Sequence, residues 1–460
     1  MRHCLSRRVT GVLIVAGLLV GVASPASAQQ TAGVLINADG VVSLQVHADP
    51  TGELTRQRVA AARADLAADL AERSDLRKVS LSRLEAAIAE RLATSSGLGD
   101  DMLNLAGLTR LKYVFYYPDS ADIVVAGPAE GWMTDASGRT VGIESGQPTL
   151  NLEDLVVALR MYAPETADVK NGASSRVIGC SIDPTQEGLA RMQNFLRQVG
   201  ATATPGDTEF IVAGLRESLG LQNVRILGVP ENTHFARVMV EADYRMKLIG
   251  IGLEQPPIRL ASYVHNARPA DVSRGAMQRW FFVPDYECVR VSDDGLAMEL
   301  VGDGVKLVGD DEVVGDDGVR RKAARVDKAS QMFVTGFTKQ YGQLARRSPV
   351  FAQLRNLIDV AIAAAYIKDN DLYTEADWNL GVLADESKVS VEHHPVARQV
   401  ETAVASVWRG SQLMTPVGGG VHIEPELALG ADKLLEDDGK LHAVRVGTHL
   451  ELADGQWWWD

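Results

Sequence analysis

"VEADYRMKLIGIGLE", residues 240–254, alternates charge and grease: Glu241, Asp243, Arg245 and Lys247 interleave with Ala242, Tyr244, Met246 and Leu248. As a strand this stretch would carry one ionic face; as a helix it would carry paired charges. The residues before it decide between the two. Phe235, Val238, Met239, Ala242, Met246 and Ile249 follow the three-and-four spacing of a helix, whereas strict alternation begins only near Val240. Thr233 is placed to cap such a helix and Gly250 to end it. The spacing therefore predicts a helix over 233–249 in which Glu241 faces Arg245 and Asp243 faces Lys247, each acid four residues before its base. Val240, Tyr244 and Leu248 add a second apolar stripe, so the charges read as structural ribs between two packed faces. If they are exposed, loss of Arg245 should cost only ~0.5 kcal/mol.

Outward from this helix, the preceding residues read as a strand, "RVIGCSI", then Asp183 as an N-cap, Pro184 in a first turn and the helix "TQEGLARMQNFLRQV". A second helix near Glu209–Leu219, ended by Gly220, leads into the strand "NVRILGV". The following residues read as an antiparallel meander of "MQRWFFV", "YECVRV", "LAMELV" and "VKLV", and then as the helices "ASQMFVTGFTKQYGQLA" and "PVFAQLRNLIDVAIAAAYI". Nearer the start, Asp39-Gly40 marks a hairpin, 53–92 has helical spacing with Ser82 and Glu85 as a capping box, and "LKYVFYYPDSADIVVAG" reads as a strand pair covered by the helix "LNLEDLVVALRMY". Polar breaks at 164–175 and 315–328 suggest the domain limits. The expected fold class is α+β: a signal peptide over 1–28, an N-terminal α+β domain over 29–165, a central α/β unit plus meander over 174–325, and C-terminal helices with short strands over 326–460.

Arg2, Arg7 and Arg8, an apolar run, and Ala26-Ser27-Ala28 form an export signal, with Gln29 as the first mature residue. The expected location is periplasmic or extracellular. No later run is expected to anchor the chain in a membrane, since the longest apolar segment contains Arg355 and Asp359. The formal charge of −14 becomes −17 once the three signal arginines are gone, and no basic stripe with interleaved aromatics is present. Nucleic acid is therefore not an expected partner; the partner is otherwise open, a protein or glycan of the envelope being a candidate. Cys180 and Cys288 are the mature cysteines, candidates for a disulfide with two buried thiols as the alternative.

Neither a dinucleotide-binding fingerprint nor a P-loop is present, and no cofactor or metal is expected. His393 and His394 read as a solvated loop pair. Arg279, Asp285 and Glu287, beside Trp280 and Tyr286, are candidate acid/base residues if they converge on a cleft; a strand pair with edge charges is the plainer account. Trp457, Trp458 and Trp459 are candidates for glycan or partner binding, or for docking the tail onto its own domain.

"VEADYRMKLIGIGLE", "WFFVPDYECVRVSDDGLAMELVGDGVKLV", "SPVFAQLRNLIDVAIAAAYI" and "LMTPVGGGVHI", in this order, resemble a family of exported planctomycete proteins of unknown function, over roughly 112–423. The resemblance implies export and supplies no activity, ligand or catalytic residue. The functional expectation is an exported, non-enzymatic binding or scaffold protein, with a secreted hydrolase using dispersed carboxylates as the alternative.

Overall fold

The computed structural model describes residues 31–165, 176–199, 204–267, 276–314, 320–322, 327–405, 408–409, 412–413, 417–447, 452–453 and 455–460. The expected signal segment and most of both polar breaks lie outside the described residues.

The fold is α+β. A nine-stranded mixed sheet runs in the order Thr31–Ile36, Val41–His47, Gln399–Glu401, Leu221–Leu227, Ile178–Asp183, Val417–Ile423, Ala276–Pro284, Val305–Val314 and Arg320–Lys322. A six-stranded antiparallel sheet runs Val289–Val291, Ala297–Leu300, Tyr113–Tyr117, Asp122–Ala129, Ser74–Ser80 and Trp458–Trp459. Each sheet takes strands from near both ends of the chain and from its middle. Between them one hydrophobic core joins Ile178, Cys180 and Ile182 of the first sheet to Val114, Tyr116, Ile123 and Val125 of the second, through two helices. These are His234–Gly250, the central helix, and Pro349–Asp369, the long helix. Because successive strand residues face opposite sides, Phe115, Val124 and Ala126 turn outward to a smaller cluster with Leu441 and Trp459.

The central helix starts as its sequence requires: the Thr233 hydroxyl accepts from the Ala236 amide at 3.2 Å. Its charges lie between packed faces, and none of them is solvated. Glu241, Asp243, Arg245 and Lys247 are all buried, because the sheet strands Ile178–Asp183 and Val417–Ile423 lie on one side and the long helix on another. Both i,i+4 pairs form, at 3.5 Å for Arg245–Glu241 and 2.7 Å for Lys247–Asp243. Burial demands further partners. Arg245 also binds Glu254 at 2.7 Å and donates to the Ala32 carbonyl, while Lys247 donates to the carbonyls of Ile182 and Gly419. Gly250 does not end the helix as expected: it is the last helical residue, Ile251 is the C-cap and the left-handed turn falls at Gly252. Gly250 is required for closeness, because a Cβ there would lie 2.0 Å from Cζ3 of the buried Trp280.

The long helix is long and apolar enough to cross a bilayer despite Arg355 and Asp359, and its apolar stretch, Val350 to Ile367, is buried inside the fold. Its Asp359 accepts from Arg110 at 3.0 Å. Three local readings are corrected. Residues 74–80, expected to be helical, form an inner strand of the six-stranded sheet; Ser80, and not Ser82, caps the helix Leu81–Ala93. The expected meander is split, with Val289–Val291 and Ala297–Leu300 pairing in the six-stranded sheet while Ala276–Pro284 pairs with Val305–Val314 in the other. Asp183 is the last residue of its strand, and the Thr185 hydroxyl meets the Gly188 amide instead.

Cys180 and Cys288 are both free and buried, so the candidate disulfide is not formed. Cys180 sits on an inner strand of the nine-stranded sheet, whereas Cys288 immediately precedes the outermost strand of the six-stranded one. Burial pushes both thiols up, Cys288 to about 12.

Candidate functional site

A cavity of about 460 Å³ opens where the N-terminal turns of two helices meet. The helix Leu152–Met161 contributes Glu153, and the central helix contributes His234, Arg237, Val238 and Glu241. The turn around Arg139, Gln353 of the long helix and the 389–394 segment complete the wall. Local physics places these groups. Asn151 and Thr233 occupy N-cap positions, so the residues after them stand in first turns, where exposed amides favour acidic groups such as Glu153 and Asp154.

His234 is held at both ends. Its Nδ1 lies 2.8 Å from Asp154 Oδ2, and its Nε2 lies 3.2 Å from the Gln353 side-chain amide nitrogen. Burial works against charging this imidazole, but the adjacent Asp154 carboxylate outweighs it and raises the histidine above its ordinary range. Burial raises Asp154 as well, with His234 pulling the other way. Glu241 is equally committed: it is clamped between Arg139 and Arg245, and Arg139 itself donates to Gln353 Oε1 at 2.8 Å and to the Ala32 carbonyl at 3.0 Å.

Other lining groups are uncommitted. Among the described residues the side chain of Arg237, half-buried in the wall, has neither an ion-pair nor a hydrogen-bond partner. Glu153, Glu392 and His394 gather at one corner with their donor atoms within 4.8 Å of one another. His394 Nε2 stands 3.7 Å from Glu153 Oε1, too far for a hydrogen bond. The histidine pair read as a solvated loop is thus divided: His393 is exposed, while His394 is mostly covered and faces the cavity, its ring 5.8 Å from that of His234.

The residues singled out in the sequence lie elsewhere. Arg279 pairs with Asp183 at 3.1 Å and lies over the Phe281 ring, Asp285 pairs with Lys306 at 2.7 Å, and Glu287 is exposed. None of the three lines the cavity. Trp457 and Trp459 are buried, and Trp458 is half-buried beneath the Arg77 guanidinium, 4.6 Å from its ring centre. Trp458–Trp459 pairs with Ser74–Ser80, and residues 440–446 form a helix. Sequence reasoning passed over Glu153, Asp154, His234, Arg237 and Glu392. They lie in three separated segments with no shared spacing, and the available signal was weak: acids in the first turn of one helix and a histidine after the cap of another.

No curated protein and no solved structure matches the chain. The family described as "Protein of unknown function (DUF1598)" matches residues 180–263, a span that contains the central helix and its cavity-lining face but neither Glu153 nor the 389–394 segment. A domain of unknown function, DUF1598, therefore covers residues 180–263 of this chain.

Proposed function

We propose that this chain is an exported binding protein whose cavity takes a small molecule bearing a carboxylate or similar anion, with Arg237 as its anchor. One observation carries the reading: the Arg237 guanidinium has no partner among the described residues, while Arg139, Glu241 and His234 in the same wall are each engaged by neighbouring side chains. A cation facing a cavity beside the first turn of a 17-residue helix is an anion site in charge and in dipole. Export is supported by the basic, apolar and small-residue pattern of 1–28 and by the resemblance of 112–423 to exported planctomycete proteins. A hydrolase built on Arg279, Asp285 and Glu287 has less support, since these are paired or outward, and His234 has both ring nitrogens occupied.

The test uses the tag-free mature chain and Arg237→Ala in a thermal-shift panel of free amino acids and small dicarboxylates. The reading expects at least one compound to raise Tm in the parent and to lose that effect in the variant. A panel with no response, or with equal responses in both proteins, would refute it. N-terminal sequencing of protein from the envelope or medium should begin at Gln29; an intact Met1 there would refute export by a cleaved signal.

A further inference from the structure

We infer that Glu153, Glu392 and His394 form a binding site for a first-row divalent metal ion, best suited to Zn2+, at the corner of the cavity. The inference concerns the same cavity as the proposed function but depends on different side chains.

The donor set carries the chemistry. One imidazole nitrogen and two carboxylates suit a borderline ion, and the imidazole argues against Ca2+ or Mg2+, which prefer oxygen alone. The positions are built into the fold. Glu153 sits in the first turn of Leu152–Met161. Glu392 and His394 flank the exposed His393, and the His394 backbone is pinned by its amide donating to the Asn232 carbonyl at 2.8 Å, just before the central helix. Bonds of ~2.0–2.2 Å to a tetrahedral ion place its ligands ~3.3–3.6 Å apart. His394 and Glu153 are already at 3.7 Å, and the widest separation in the group is within 4.8 Å. Rotation of Glu392, which is exposed, closes the remaining gap.

A second observation, on two of these residues, points to a ligand. His394 Nε2 and Glu153 Oε2 are both buried polar atoms without a hydrogen-bond partner. A buried nitrogen and a buried carboxylate oxygen left unpaired are costly, and one cation satisfies both. It also neutralises two carboxylates that otherwise repel at close range. Three protein ligands leave a fourth position, which faces the cavity, so the ion would stay open to a water or to a bound molecule, unlike a closed structural site.

The experiment is isothermal titration of the tag-free, chelator-stripped full mature chain with Zn2+ alone, alongside His394→Ala, Glu392→Gln and Arg237→Ala. One Zn2+ per chain is expected. Loss of His394 or Glu392 should weaken it by more than the ~10–100-fold typical of outer-shell changes. Glu392→Gln removes an exposed carboxylate and should leave the fold unperturbed by circular dichroism, so its result stands even where His394→Ala misfolds. With Co2+ in place of Zn2+, visible bands of a four- or five-coordinate ion should appear in the parent and vanish in Glu392→Gln. Absence of stoichiometric binding in the parent, or equal Zn2+ affinity in parent and Glu392→Gln, would overturn the site. Arg237→Ala should bind Zn2+ normally. The two readings fail separately: an Arg237-dependent response to small acids without Zn2+ binding sinks only the metal, and the converse sinks only the anion anchor.

Discussion

Replacing Lys247 by Met leaves Asp243 buried at 0% exposure without its counter-ion. Asp243 Oδ2 is 2.7 Å from Lys247 Nζ, and Oδ1 already has no hydrogen-bond partner. Breaking a buried pair by removing one member costs ~3–5 kcal/mol, because the remaining charge is neither hydrated nor paired. The double variant Asp243→Leu/Lys247→Met removes both charges at similar volume and should recover more than half of that loss. A deficit of ~1–2 kcal/mol should persist, since the Ile182 and Gly419 carbonyls lose the ammonium that now donates to them. The pH dependence follows from the acid. Burial, opposed by Lys247, holds Asp243 at about 6, against ~3.9 for a free side chain. The folded state therefore binds this proton more readily than the unfolded one, and the contribution to stability falls as pH rises from about 4 through about 6. Without Lys247 the carboxyl rises further, so the Lys247→Met deficit should be smaller at pH 5 than at pH 7. Urea unfolding followed by tryptophan fluorescence at both pH values measures this. A loss below ~1 kcal/mol at pH 7, or an equal loss at pH 5, would refute the reasoning.

Gly250→Ala should destabilise by ~1–3 kcal/mol despite better helix propensity, because its Cβ meets the Trp280 ring; an unchanged or higher Tm would show that the ring can shift. Thiol titration of the mature chain should find two thiols under denaturant without reductant and none reacting quickly in the native state, since both cysteines are buried; finding no thiol in the denatured chain would mean that the pair is bonded. Trp457→Ala should cost ~3–5 kcal/mol, since Trp457 is 5% exposed in the main core, and a Tm close to the parent's would mean that the tail is dispensable.

Much of the element pattern was legible because periodicity is local. The central helix, its Thr233 cap and both acid-to-base pairs follow from spacing within one segment, as do the hairpin at Gly40 and the long helix behind Pro349. Where a strand sits in a sheet is decided by partners hundreds of residues away. Residues 74–80 became an inner strand because Asp122–Ala129 pairs on one side and Trp458–Trp459 on the other. The same limit hid the charge burial: an i,i+4 pair has the same spacing on a solvated face as between a sheet and a helix, and only packing distinguishes a few tenths of a kcal/mol from several. It hid the cavity too. Glu153, His234 and His394 carry no shared motif, and they meet because two helix starts and one irregular segment converge above the long helix. Local pattern was enough for the central and long helices, the Gly40 hairpin and the expectation of export. Tertiary structure alone decided which charges lost water and which were left facing a cavity without a partner, because those outcomes depend on neighbours that no local pattern names.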